Sequence, residues 1–70
     1  MKNFQSISWV DSSGVPLTCH EKIKVLTENL TELQQLAQDV LEEALVMKAD
    51  ENQIRSVLED LIKSIEHPYA

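Results

Sequence analysis

From Leu17 to His67 the chain contains neither glycine nor proline, and through that run small or apolar residues recur at Cys19, Ile23, Leu26, Leu30, Leu33, Ala37, Val40, Ala44 and Met47. The steps alternate four and three without a fault, the spacing that keeps one seam of an α-helix turned toward a helical neighbour. The seam opens with Thr18-Cys19-His20-Glu21, a T-x-x-E capping box. In such a box the Thr18 hydroxyl accepts from the Glu21 amide while the Glu21 carboxylate reaches back to the Thr18 amide. The pattern predicts one long helix over 18–48.

Asp50-Glu51-Asn52-Gln53 repeats the box as D-x-x-Q, so the chain is expected to turn near Lys48–Asp50 and start a second helix over 50–67. That helix carries Ile54, Val57, Leu58, Leu61, Ile62 and Ile65 on one face. Pro68 stops it, with His67 in the last turn facing the negative end of the helix dipole. A connection this short makes the two helices antiparallel neighbours.

Residues 1–17 read differently. They hold Phe4, Trp9, the single glycine, Gly14, and Pro16. Ile7–Val10 and Val15–Leu17 suit two short extended runs around Asp11-Ser12-Ser13-Gly14, with Asp11 opening a turn and Gly14 taking its left-handed position. Pro16 cannot donate to a ladder, which leaves its strand at an edge. The expected fold is a single mainly α domain over 1–70: a short N-terminal β-hairpin or extended arm, then an antiparallel two-helix hairpin.

The helix lengths do not match. A second helix of roughly sixteen residues spans ~24 Å at 1.5 Å per residue, against ~45 Å for the first. Ile23, Leu26 and Leu30 are therefore left for the arm, with Trp9 as its plug, or for a second chain. Seventy residues bury only a marginal core unaided. One cysteine forms no internal disulfide, and no C-x-x-C or H-x-x-x-H spacing offers a structural zinc site. Self-association remains. Ala37 and Ala44 would let another helix approach closely, and Leu36, Leu41 and Leu45 widen the stripe. The expectation is a four-helix homodimer whose interface uses Ile23, Leu26, Leu30, Leu33, Ala37, Val40 and Trp9.

Charge narrows the function. Twelve acidic residues against six basic give a net charge of −6, which disfavours binding a nucleic-acid backbone. Glu28, Glu32, Asp39 and Glu42, with Glu21, share the ridge opposite the seam. The plain reading is a solvated face; the functional one is a docking face for a basic or amphipathic protein partner. Glu51, Arg55, Glu59 and Lys63 on the second helix form a balanced ladder instead. No apolar run has the length of a membrane span or a secretory leader, so a cytoplasmic location is expected.

Catalysis has little to stand on. A single glycine precludes a phosphate-cradling loop, and no Ser-His-Asp order is present. No cofactor or metal is expected. Cys19 and His20 raise the one chemical question, since a helix start favours a thiolate. Neighbouring helical residues point about 100° apart, so the two do not face each other as nucleophile and base. Cys19 reads first as a packed seam residue, and second as the centre of a thiol- or metal-dependent sensor with His20. The leading function is a small acidic non-enzymatic interaction module: an adaptor, regulator or chaperone-like subunit acting as a homodimer.

Overall fold

A computed structural model describes residues 3–69; Met1 and Lys2, the first residues of the predicted arm, and Ala70 lie outside them. The described chain is mainly helical and contains two α-helices: α1, His20–Val46, and α2, Glu51–Lys63. No strand forms among the described residues. Two contiguous units divide inside α1, between Gln35 and Leu36.

In the first unit the arm opens with a 3-10 turn at Phe4–Ser6, capped by the Asn3 side chain, which accepts from the Gln5 amide at 2.9 Å. The turn at 11–14 has the chemistry the sequence implies. The Asp11 carboxylate accepts from the Ser13 and Val15 amides at 2.8 and 3.0 Å, and Gly14 takes φ 83°. Pairing then stops at one antiparallel bridge, Val10 with Pro16, flanked by Asp11 N–H to Val15 C=O and Leu17 N–H to Trp9 C=O. Proline supplies no amide to extend a ladder. The segment is thus an extended arm closed by a single bridge.

α1 starts at His20, not at Thr18. The Cys19 carbonyl accepts the first helical bond, from the Ile23 amide at 3.1 Å. Among the described residues no hydrogen bond joins the side chains of Thr18 and Glu21 to a cap. The Leu17 amide is held by the Trp9 carbonyl at 3.0 Å, and the chain enters the helix only after it leaves that pairing.

The second unit holds the chain reversal. The Ala49 amide bonds back to the Ala44 carbonyl at 2.9 Å and the Lys48 amide to the Leu45 carbonyl at 3.0 Å, with Lys48 at φ 62°. This is a Schellman closure, which normally places glycine where Lys48 stands. The Asp50 carboxylate then caps α2 by accepting from the Gln53 amide at 2.8 Å. Ala37, Val40 and Leu41 on α1 and Ile54 and Leu58 on α2 are half-buried around this turn. Ala44 alone is buried among the described residues.

α2 ends at Lys63, short of the predicted 67. The Ser64 hydroxyl donates to the Leu61 carbonyl at 2.7 Å, and the Ile65 amide reaches only Ile62 at 3.3 Å. Pro68 disfavours helical backbone at His67 and leaves the Ser64 carbonyl without a helical donor, so the last turn does not form. His67 lies outside the helix, where its Nδ1 accepts from the Tyr69 amide at 2.9 Å.

Two stability outcomes follow from these ends. Asp50→Ala should cost about 1 kcal/mol, the usual value of a lost N-cap, whereas Thr18→Ala should stay within about 0.5 kcal/mol of the parent. Urea unfolding of both variants checks the contrast. Lys48→Gly removes a Cβ from a left-handed position and should stabilise by about 1 kcal/mol, seen as a rise in thermal midpoint.

Candidate interaction surface

In the first unit Phe4, Ile7 and Trp9 are half-buried, as are Ile23, Thr27 and Leu30 on α1. Phe4, Ile7 and Trp9 line one depression of about 220 Å³ with Ile23 and Thr27, so the arm lies beside the first turns of α1. Trp9, the one tryptophan of an aromatic-poor chain, is half-buried in this depression. Its fit is incomplete: the indole Nε1–H is buried and donates to nothing. An unsatisfied buried donor weakens such a contact by about 1–3 kcal/mol.

The predicted seam is therefore covered unevenly. Ile23 and Leu30 are half-buried, while Leu26 and Leu33 are 38% and 47% exposed. Ala37 and Val40, in the second unit, are half-buried. Met47, the last seam position in the sequence, is 80% exposed, because α1 ends at Val46 and Met47 belongs to the turn.

Cys19 is exposed, not packed. As the residue before the first helical turn it is not carried onto the seam by helical geometry. It borders a notch of about 150 Å³ with Leu17, Lys22, Ile23 and Leu26. His20 is exposed as well. Among the described residues no group of three or more His, Cys, Asp or Glu is placed to hold a metal ion.

The acidic residues occupy two settings. Glu28 and Glu32 border Asn3, Phe4 and Gln5 in a broad depression of about 520 Å³, next to the start of the arm. In the second unit Asp39, Glu42 and Glu43 surround the side chains of Val46 and Met47, 83% and 80% exposed. All four predicted acids are exposed. The Gln38 amide donates to the Glu42 carboxylate at 3.3 Å. On α2 the Glu51–Arg55 rung closes at 3.0 Å, and both groups are more than half exposed. Such a rung is worth a few tenths of a kcal/mol.

Several surface residues escape the seam pattern. Val25 and Leu36 are 55% and 62% exposed, Val57, Leu61 and Ile62 remain open on α2 at 51–57%, and Ile65, just beyond it, is 68% exposed. The signal was present in the excess itself: α2 carries five large apolar residues, more than one helix–helix seam uses.

No described helix is long and apolar enough to cross a membrane. Neither family models, nor curated proteins, nor solved structures match this chain.

Exposure of the thiol has a direct consequence. A maleimide should label Cys19 in the native protein without denaturant, and Cys19→Ser should change stability by no more than about 0.5 kcal/mol, as for other surface sites. Labelling kinetics and thermal unfolding check both.

Proposed function

We propose that this chain is a non-enzymatic protein-interaction module that works as a homodimer, its two helical hairpins completing a four-helix bundle. The observation that carries the reading is the missing core. Among the described residues one small side chain, Ala44, is buried, while fifteen large apolar side chains are exposed. Apolar side chains left open in such number on a short chain need cover that association can supply. A second copy is always available at matched concentration and carries the same unsatisfied surface.

The acidic residues suit the outward role in such an assembly. Glu28, Glu32, Asp39 and Glu42 stay solvated, and a basic or amphipathic protein partner would meet them with complementary charge. A thiol-dependent sensor at Cys19 and His20 is the second reading, favoured by the exposure of both side chains. Neither reading requires a cofactor.

Sedimentation equilibrium at micromolar concentration should return twice the 8.0 kDa chain mass. A monomer mass with full helicity would overturn the homodimer. The same experiment on the maleimide-blocked protein separates the readings: an adaptor keeps its assembly state, whereas a thiol sensor changes it.

A further inference from the structure

We infer that the outer face at the C-terminal end of α1 docks a cationic amphipathic segment of another protein. The inference rests on the interaction-module reading and narrows it to one patch and one kind of partner. Val46 and Met47 form the apolar floor of the patch and are among the most open large apolar side chains of the chain. Asp39, Glu42 and Glu43 surround them, and the five residues line a shallow depression of about 590 Å³. Spacings of three, four and seven put Asp39, Glu42, Glu43 and Val46 on one helical face, and the exposed Leu36, one turn before Asp39, extends it. The half-buried Ala37, Val40 and Leu41 and the buried Ala44 lie on the other side of α1, so the hairpin does not use this face.

Charge decides what can sit there. A helix carries partial negative charge at its C-terminus, where lysine or arginine is the stabilising choice. α1 has no basic residue in its last turn and carries Glu42 and Glu43 close to its end at Val46. Both carboxylates oppose the dipole, a local cost to the free chain. The Gln38 amide that donates to Glu42 at 3.3 Å is neutral and leaves that charge in place. A segment bearing lysine or arginine offsets the cost, while its apolar side chains cover Val46 and the adaptable thioether of Met47. Other occupants fail on sign. A nucleic-acid backbone and an anionic lipid surface are repelled by the same carboxylates. A second copy would bring the same acids to this face and a net charge of −6, and its six basic residues are scattered along the chain.

The test titrates the full chain against a fluorescent peptide of leucine and lysine patterned as an amphipathic helix, read by anisotropy, while sedimentation reports the assembly state. Glu42→Gln with Glu43→Gln should weaken binding about tenfold, yet raise the thermal midpoint of the free chain by about 2 °C. Glu28→Gln with Glu32→Gln changes the net charge equally and should weaken binding less than about twofold. Val46→Ser with Met47→Ser should weaken it about tenfold, with parent helicity by circular dichroism. Equal losses from the two carboxylate pairs would reduce the contact to net charge and overturn this surface. Full affinity after Val46→Ser with Met47→Ser would overturn it as well, and a lowered midpoint in the Glu42–Glu43 variant would remove the electrostatic cost on which it rests. A dimer that leaves the peptide unbound would sink this surface and keep the homodimer. A monomer that binds the peptide in the expected pattern would keep the surface and remove the homodimer.

Discussion

The reversal of the chain between Val46 and Asp50 is the constraint on which the second unit depends. Two devices meet there within five residues. The Schellman bonds from Lys48 and Ala49 close α1, and the Asp50 carboxylate opens α2. Together they satisfy backbone groups that would otherwise be left without partners at two adjoining helix ends. Ala44, whose carbonyl takes one of those bonds, is also the buried residue among those described. Lys48 accepts a left-handed backbone to make the closure, a strain that the bonds around it hold in place.

A mismatch of length sets the rest. α1 has 27 residues and α2 has 13, ~40 Å against ~20 Å of helix. No arrangement of one short helix covers one long one. The arm supplies part of what is lacking, bringing Phe4, Ile7 and Trp9 to the first turns of α1. It does so with few backbone bonds and an indole donor left unsatisfied. Apolar side chains without cover are the consequence. The exposed acids of α1 keep its outer face wet.

The clearest signals in the sequence were local ones. Asp50 caps α2 through the Gln53 amide as the spacing implied, because a cap is a bond between near neighbours and needs nothing from the rest of the chain. Asp11 and Gly14 form their turn for the same reason. Thr18 and Glu21 had an equally good signature, yet α1 begins at His20. There the hydrogen bond from the Leu17 amide to the Trp9 carbonyl holds the backbone just ahead of the helix, and no local pattern records a partner that far back in the chain. Cys19 moved with that boundary, from a seam position to an exposed one. The far end of α2 departs from its pattern for a related reason: the effect of Pro68 reaches back through His67 and Ser64, so the helix stops a full turn before the proline.

The sequence by itself determined that the chain is helical, that it reverses near residue 50, and that it carries more apolar surface than two helices can hide. Those properties depend on periodicity, capping and composition, which act over a few residues or are sums over all of them. Only the tertiary structure decided which members of the apolar stripe are sheltered. Ile23 and Leu30 are half-buried while Leu26 and Leu33 on the same seam stay open; Ile54 and Leu58 are half-buried while Val57 and Leu61 are not. The spacing of a seam makes its members equivalent. Burial distinguishes them because cover comes from distant parts of the chain, whose reach is fixed by where helices start and stop.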